Sequence, residues 1–357
     1  MRRFLVLVAA AVILLALVGY AFRKPITLRM IERIVASNLD THLLRELPDG
    51  LHVALCGAGS PLPDPRRSGP CTAVIAGERL YIVDVGSGAS RLLSQMRIPQ
   101  GEIDAIFLTH FHSDHIDGLG ELLLQRWANG SSAAPAPVYG PAGVEAVVEG
   151  FRVAYGPDRR YRIAHHGPDV VPPAGAGGVA RPFATPADGE AEILIDADGL
   201  VVTAFRVAHA PVEPAVGYRF DYKGRSAVLS GDTTRSTNLQ AFARDADLLV
   251  HEALAPQLVA LLTAGAEAVG RNNVAAITRD ILDYHATPVE AAEIARDAGV
   301  RHLLFYHIVP PLRLRTMEEI FLEGVDGVYD GPVTIGRDGT LVELEAGGDA
   351  IEVVELL

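Results

Sequence analysis

The chain is poor in cysteine, with only Cys56 and Cys71 among its 357 residues. Two cysteines are too few for a Cys-based zinc motif and allow one disulfide at most, so a bound metal would have to use histidine and carboxylate ligands. A small disulfide-stapled scaffold is excluded as well. We expect two partly buried thiols near the ends of early strands rather than a bridge across the short loop between them.

Basic residues are also scarce, because 31 Lys and Arg face 44 Asp and Glu and leave a formal net charge of −13. A molecule with this balance repels nucleic acid and anionic lipid unless a local patch reverses the charge. Any polyanionic substrate would have to be captured locally. With 49% hydrophobic and 21% charged residues, the chain nonetheless has the composition of a folded globular protein with a sizeable core.

Charged residues are absent from one stretch, between Phe4 and Phe22. This run has close to the ~20 residues that cross a hydrocarbon core. We expect an uncleaved transmembrane anchor over residues 1–22, although Gly19-Tyr20-Ala21 also fits the cleavage site of a signal segment. Basic residues flank the run on both sides: Arg2 and Arg3 before it, and Arg23, Lys24, Arg29 and Arg33 after it. These charges favour a cytoplasmic C-terminal side, whereas the secretory character of the N-terminus favours the opposite, and we expect an inner- or plasma-membrane protein whose main domain is exported.

The main domain is predicted to begin at residue 51. Apolar residues at helical spacing between Ile26 and Leu47, followed by the turn signal Pro48-Asp49-Gly50, predict a linker helix within residues 23–50. Short apolar runs bounded by glycine then predict buried strands: LHVALCG, CTAVIAG, RLYIVDVGSG and IDAIFLTH. Helical spacing predicts four helices: Gly120–Trp127, Gly143–Phe151, Asn273–Leu282 and Thr287–Ala298. Two successive halves, each rich in strands and then in helices, predict an α/β sandwich of two sheets over residues 51–357.

The stretch from Tyr155 to Gly189 interrupts this pattern with many prolines and glycines and is predicted to be a long loop. Several arginines lie in it or beside it: Arg152, Arg159, Arg160, Arg162 and Arg181. A solvated insertion and a substrate-facing arm both fit these residues. His165-His166 is interpreted as an exposed loop pair rather than a further metal site.

The candidate site begins with Thr109-His110-Phe111-His112-Ser113-Asp114-His115, which directly follows an apolar strand. Three imidazoles and a carboxylate within six residues suit zinc and similar divalent ions. A strand that stops at a polar turn can direct several such ligands into one space. The string therefore predicts a metal site.

In this string and in its two-sheet pattern, the sequence resembles the metallo-β-lactamase superfamily from about Leu51 to the C-terminus. The resemblance implies an αβ/βα four-layer sandwich and two divalent cations, expected to be Zn²⁺. It implies ligands residue by residue: His110, His112 and His209 for one cation, Asp114, His115 and His307 for the other, and Asp232 bridging both. It further implies that Asp84, in YIVDVGSG, orients the strand that carries the ligands; a turn-forming residue at the end of its own strand is the alternative.

Two such cations would lower the pKa of a shared water from about 15.7 towards roughly 7 and so supply a bridging hydroxide as nucleophile. Asp114 is expected both to bind metal and to accept a hydrogen bond from that nucleophile. Asp232 occupies the position where class B1 β-lactamases have cysteine, and His112 the position where diiron oxidoreductases of this fold have glutamate. Neither of those branches is therefore favoured.

Three further features resemble the ribonuclease Z branch: Gly231-Asp232-Thr233, His251-Glu252-Ala253 and His285-Ala286-Thr287. The last differs from that branch's pattern, because Ala286 replaces a serine. The resemblance implies that His285 protonates the leaving oxygen and that Glu252 polarises His285. His285 could instead cap the helix that follows it.

We therefore predict a dinuclear metal-dependent hydrolase, a phosphodiesterase with a ribonuclease Z-like active site that acts on a small-molecule or phosphodiester substrate. We do not expect tRNA, because the insertion is only mildly basic, the net charge is unfavourable and an exported enzyme would not meet tRNA precursors. The alternative enzyme hydrolyses carboxylic esters, thioesters, lactones or aryl sulfates on the same metals. The alternative of another class is a non-catalytic, membrane-tethered binding protein, and a homodimer is left open.

Overall fold

The computed structural model describes residues 2–40 and 43–357. The helices are α1 (Arg2–Asp40), α2 (Leu43–Glu46), α3 (Ala89–Gln95), α4 (Ser113–Ile116), α5 (Leu119–Gly130), α6 (Val144–Ala154), α7 (Gly156–His166), α8 (Thr237–Phe242), α9 (Pro256–Ala268), α10 (Asn272–Asp280), α11 (Pro288–Ala298) and α12 (Arg315–Phe321). The strands are β1 (Gly50–Gly57), β2 (Cys71–Ala76), β3 (Arg79–Val83), β4 (Ile103–Phe107), β5 (Ala136–Pro141), β6 (Gly178–Phe183), β7 (Glu192–Ala197), β8 (Leu200–Arg206), β9 (Val216–Tyr222), β10 (Arg225–Leu229), β11 (Leu248–Leu254), β12 (His302–Val309), β13 (Val333–Ile335), β14 (Thr340–Glu345) and β15 (Glu352–Glu355).

The strands form two sheets, in the orders β15-β14-β1-β2-β3-β4-β5-β6 and β13-β12-β11-β10-β9-β8-β7. In the second sheet, β8 and β10 are each antiparallel to β9, and β11 is parallel to both β10 and β12. The strands β8, β10, β11 and β12 therefore all end at the same edge. We use the name C-terminal edge for this end of the sandwich. It is formed by three segments of the second sheet, residues 207–215, 230–236 and 306–312, and by residues 108–115, which follow β4 of the first sheet.

Three apolar layers hold the sandwich together. Phe107 of the first sheet packs between the sheets with Tyr218 and Phe220 of the second. Helices α3, α5 and α6 cover the outer face of the first sheet, and helices α8, α11 and α12 cover the outer face of the second. The order helix, sheet, sheet, helix confirms the two-sheet α/β sandwich predicted from the sequence.

Most predicted elements are confirmed within a few residues, because their apolar spacing matches the face that each one buries. The four predicted strands correspond to β1–β4, and the four predicted helices to α5, α6, α10 and α11. Helix α11 begins with a reciprocal cap, in which Thr287 Oγ1 accepts a hydrogen bond from Glu290 N at 3.2 Å and Glu290 Oε2 accepts one from Thr287 N at 2.8 Å. This cap fixes the chain immediately after His285.

The prediction of a long loop from Tyr155 to Gly189 is wrong in part. Residues Gly156–His166 form helix α7, and Gly178–Phe183 form β6, which pairs in parallel with β5. Pro157 lies in the first turn of α7, where a missing N–H leaves no helical hydrogen bond unmade. His165 and His166 are exposed as expected, but they end a helix rather than lie in a loop.

The expectation of two free thiols is also wrong, because Cys56 and Cys71 form a disulfide. Strands β1 and β2 are antiparallel neighbours in which Gly57 faces Cys71, so Cys56 lies beside Cys71 with their Cα atoms 4.8 Å apart. Both side chains are fully buried. The bridge closes the loop between these strands at its base.

The N-terminal segments predicted as separate, an anchor over 1–22 and a linker helix after it, form one helix through Asp40. The segment Arg2–Ala36 is long and apolar enough to cross a membrane, a property that a signal sequence shares. Thr41 and His42, which fall within the predicted linker helix, lie outside the described residues.

Candidate metal centre

The candidate ligands come from four separate parts of the chain that meet at the C-terminal edge. His110 and His112 follow β4, and Asp114 and His115 lie in the short helix α4. The others follow or end strands of the second sheet: His209 after β8, Asp232 after β10 and His307 within β12. The fold thus brings together all seven side chains expected to bind metal.

Their ligand atoms form two neighbouring groups, in each of which all atoms lie within 4.8 Å of one another: His110, His112, His209 and Asp232, and then Asp114, His115 and His307. Asp232 faces both groups. Its Oδ2 lies 3.8 Å from His110 Nε2 and 3.3 Å from His307 Nε2, and its Oδ1 lies 3.4 Å from His115 Nε2. Ligand atoms of one tetrahedral zinc ion are about 3.3–3.6 Å apart. The separations around Asp232 are therefore close to those expected if this carboxylate were a ligand in both groups.

The buried polar atoms of this cluster also fit a cation. Nε2 of His110, His115 and His209, together with Asp232 Oδ1, are buried and have no hydrogen-bond partner. Leaving a buried polar atom unpaired costs about 1–3 kcal/mol, whereas nitrogen and oxygen lone pairs directed at one point can bind a divalent ion. The donor set contains no sulfur, as the cysteine content of the sequence required.

Groups behind the cluster fix which ring nitrogen faces it. His115 Nδ1 lies 2.8 Å from Asp84 Oδ2, and Asp84 also accepts hydrogen bonds from the backbone N and the Oγ1 of Thr109, both at 2.8 Å. His209 Nδ1 lies 2.9 Å from the carbonyl oxygen of Tyr284. These contacts leave the Nε2 atoms of His115 and His209 free to bind metal.

The electrostatics of the cluster favour a positive charge. Burial lowers the pKa of His115, but the carboxylates of Asp232, Asp84 and Asp114 outweigh it and hold that pKa well above its usual value. Burial likewise opposes ionisation of Asp232, yet His307 and His115 keep its pKa well below the usual range. By contrast, burial places the pKa of His110 well below its usual value, so that imidazole is neutral. A divalent cation would take the place of the proton on His115.

His285 and Glu252 form an adjoining pair. His285 Nδ1 lies 3.1 Å from Glu252 Oε1, which also accepts hydrogen bonds from Ala286 N at 3.0 Å and Thr233 N at 3.2 Å. Burial lowers the pKa of His285, but Glu252 outweighs it and raises that pKa to about 9. A ligand atom of His285 lies within 4.8 Å of those of Asp232 and His307. A charged imidazole beside the cluster can donate a proton.

Two features of the site were not predicted from the sequence. Tyr284 holds His209 through its carbonyl oxygen, and its ring lies 4.7 Å from that of His285; its position next to His285 was the available signal. His307 is the extra residue of a β-bulge, because Glu252 pairs with Tyr306 and Ala253 with Ile308. It has a φ of 44°, which is uncommon for a residue other than glycine, and the bulge turns its side chain to the cluster.

The exposed pair His165 and His166 lies outside this centre. Within residues 2–40 and 43–357, the groups of three or more candidate ligands that could hold an ion include only residues of the C-terminal edge and His285. The interpretation of this pair as surface residues therefore fits the structure.

Comparisons with known proteins agree with this geometry. Residues 81–308 match the beta-lactamase superfamily domain. Ribonuclease Z of Mycobacterium bovis (strain BCG / Pasteur 1173P2) is 36% identical over 296 residues, which cover 82% of this chain and 98% of that protein. Ribonuclease Z of Mycobacterium sp. (strain KMS) is 37% identical over 263 residues, covering 73% and 85% respectively.

Two solved structures share the fold. The metallo-beta-lactamase fold protein YhfI from Bacillus subtilis superimposes with a TM-score of 0.58 at 20% identity and covers 83% of this chain and 100% of that one. The short form of human tRNase Z gives a TM-score of 0.58 at 22% identity, with coverage of 82% and 99%. None of these relatives supports the expectation that tRNA is excluded as a substrate. The chain belongs to the metallo-β-lactamase superfamily, in its ribonuclease Z-like branch, and is a metal-dependent hydrolase of the nuclease or phosphodiesterase type.

Proposed function

We propose that the chain is a dinuclear phosphodiesterase. The residues that would hold its two divalent cations, expected to be Zn²⁺, are His110, His112, Asp114, His115, His209, Asp232 and His307. The observation that carries the proposal is the position of Asp232, whose Oδ2 lies 3.8 Å from His110 Nε2 of the first ligand group and whose Oδ1 lies 3.4 Å from His115 Nε2 of the second. One carboxylate can thus serve both cations.

The chain's own residues supply the remaining parts of a hydrolytic site. When bound, two divalent cations provide hydroxide at neutral pH and offset the charge that develops on a phosphoryl oxygen. Asp114 is partly open to solvent, so it can accept a hydrogen bond from the attacking water. Glu252 holds Nδ1 of His285 and leaves Nε2 to donate a proton to the leaving oxygen.

RNA belongs among the candidate substrates, because the curated relatives named above are ribonucleases. Small phosphodiesters belong there too, because the net charge of −13 disfavours long polyanions. Hydrolysis of either substrate breaks a phosphodiester bond by the same attack at phosphorus. The choice between them therefore depends on binding outside the metal centre.

The test is hydrolysis of bis(p-nitrophenyl) phosphate and of a short RNA by the full-length protein in detergent, with and without a chelator. His112→Ala is expected to abolish turnover. His285→Ala should lower it by roughly 10²–10⁴-fold, the usual contribution of a general acid. His166→Ala is the matched control, since it removes an exposed histidine and should leave the rate unchanged.

Two results would overturn the proposal. Turnover of carboxylic esters, thioesters, lactones or aryl sulfates, with phosphodiesters untouched, would assign the alternative activity. Fewer than two equivalents of metal together with no hydrolysis would favour the membrane-tethered binding protein.

We also propose that residues 1–22 anchor the protein in a membrane, that residues 23–50 connect the anchor to the hydrolase domain over 51–357, and that this domain is exported. The length and apolar character of Arg2–Ala36 support an anchor.

The Cys56–Cys71 disulfide supports export, because disulfides persist mainly in oxidising compartments. Protease added to intact cells should digest the domain if it is exported, and protection of the domain would contradict this. Size-exclusion chromatography in detergent tests for a homodimer.

A further inference from the structure

One loop contacts both parts of the chain that carry the second group of candidate ligands, Asp114, His115 and His307. We call residues 57–70 the bridged loop, because the Cys56–Cys71 disulfide closes it. The carbonyl oxygen of Ala58 accepts a hydrogen bond at 3.2 Å from the backbone N of Ile308, the residue after His307. The loop therefore touches the β-bulge directly.

The other end of the bridged loop packs on the turn that supports Asp114 and His115. Gly86 N donates to the carbonyl oxygen of Pro70 at 2.8 Å, and Gly69 N donates to that of Ser87 at 3.1 Å. The backbones are so close that a Cβ at Gly86 would lie 2.3 Å from the carbonyl carbon of Gly69 and 2.6 Å from the carbonyl oxygen of Asp114. A shift of the loop would thus be transmitted to Asp114.

His307 is the ligand that most needs such support. Its φ of 44° lies in the left-handed region, inside a strand. Residues held there cost of order 1–3 kcal/mol and persist only where their surroundings fix them. The hydrogen bond from Ile308 to Ala58 fixes the backbone next to it.

A carboxylate outside the metal centre secures the bridged loop at both ends. Asp338 Oδ1 accepts a hydrogen bond from Ala58 N at 3.0 Å, and Asp338 Oδ2 accepts one from Ser68 N at 2.8 Å. The disulfide and Asp338 therefore hold the same loop from two sides. In the described part of the chain, no hydrogen bond joins the bridged loop directly to a candidate ligand: its bonds reach Ile308 beside His307 and Gly86 beneath Asp114, and none reaches a residue next to His110 or His209.

We propose that the bridged loop is a positioning element for one cation of the pair, and that Asp338 and the Cys56–Cys71 disulfide are its positioning residues. They keep His307 and Asp114 in the arrangement that binds the second cation. The first group of ligands does not depend on them. The inference rests on the proposed function, because it takes these side chains as metal ligands.

The test compares the full-length protein in detergent with Asp338→Asn and with the double variant Cys56→Ala/Cys71→Ala, using Zn²⁺ titration against a chromogenic chelator. Both variants are expected to bind one cation of the pair roughly 10–100-fold less tightly, an effect as large as that of removing an outer partner of a metal ligand. The affinity for the other cation should change little. Cobalt substitution should show the same loss in its visible absorption, and excess metal should restore kcat.

Asp247→Asn is the matched control. Asp247 is a buried carboxylate that also accepts a backbone hydrogen bond, from Ser226 N at 2.9 Å, but it lies directly before β11, at the other end of the sandwich. It should retain both affinities even if its melting temperature falls. If the double variant does not fold, Asp338→Asn decides alone.

Two outcomes would overturn the inference: unchanged affinity for both cations in the positioning variants, or loss of both cations in parallel with a stability loss like that of Asp247→Asn. Failure of the proposed function is a separate result. It would appear as fewer than two cations bound to the unmodified protein.

Discussion

The two edges of the sandwich differ in how many of their polar groups have a partner within the protein. At the C-terminal edge, four imidazole nitrogens and a carboxylate oxygen of the candidate ligands are buried without partners. At the edge where β3 and β4 begin, which we call the opposite edge, a cleft of about 1190 Å³ opens between the sheets, with Tyr81, Tyr139 and Leu200 in its lining. Several charges around that cleft are paired: Arg79 bridges the two sheets by contacting Asp104 at 2.8 Å and Asp198 at 3.1 Å.

The two edges also differ in where their residues with positive φ values lie. Asp198 and Lys223, at the opposite edge, have positive φ values of 54° and 46°, but each precedes a glycine in a tight turn between antiparallel strands, where such values are usual. His307, at the C-terminal edge, has its positive φ inside a strand. The same backbone feature therefore makes a turn at one edge and directs a ligand at the other.

This contrast indicates that the C-terminal edge is the one that needs a cation from solution. At the opposite edge, Arg79, Asp104 and Asp198 pair with one another, so these charges need no partner from solution. The unpaired atoms of the C-terminal edge are complete only with a cation. Substitutions at the two edges should accordingly act on different properties, function at one and stability at the other.

The largest effect is expected for Asp232→Asn, because this residue faces both groups of candidate ligands. We expect bound metal to fall below one equivalent per chain and turnover to fall on the order of 10³-fold or more, since the proposed metal pair would supply several kcal/mol of transition-state stabilisation. Elemental analysis and kcat on bis(p-nitrophenyl) phosphate measure both. Asp198→Asn, at the opposite edge, should keep metal and rate. If Asp232→Asn retained two equivalents of bound metal, Asp232 would not be the residue that bridges the two cations.

Glu252→Gln should have an intermediate effect, because the amide keeps a hydrogen-bonding oxygen but loses the negative charge beside His285. Glu252 raises the pKa of His285 to about 9, and bound cations would lower it in both proteins. A rate that needs protonated His285 falls as the pH rises through this pKa. The decline should therefore begin at lower pH in Glu252→Gln than in the unmodified protein.

The pH profile of kcat checks this expectation. At neutral pH the loss should be smaller than the roughly 10²–10⁴-fold expected when the acid is removed altogether. An alkaline limb at the same pH in both proteins would show that Glu252 does not control the proton of His285.

The sequence predicted the two-sheet core through its apolar runs, and the meeting of the seven candidate ligands through the resemblance of its motifs to the metallo-β-lactamase superfamily. It did not predict the Cys56–Cys71 bridge, which depends on the pairing of β1 with β2. Nor did it predict the bulge at His307, which depends on how β12 pairs with β11. Helix α7 was missed because its proline and glycine were interpreted as loop residues, whereas Gly156 and Pro157 begin the helix. The first two failures concern register or pairing between distant segments, whereas the third concerns the local interpretation of glycine and proline.

The smallest effect is expected for Arg79→Ala at the opposite edge. Arg79 is about half exposed, with 53% of its side chain accessible, and exposed ion pairs typically contribute about 0.2–1 kcal/mol. Asp104 would keep its hydrogen bond from Leu80 N, at 2.9 Å, and so would not be left unpaired. The free energy of unfolding in urea should fall by less than about 1 kcal/mol, while metal content and kcat stay unchanged. A larger loss, or any loss of bound metal, would mean that the two edges are coupled through the sheets and that paired charges at one edge help to hold the unpaired atoms at the other.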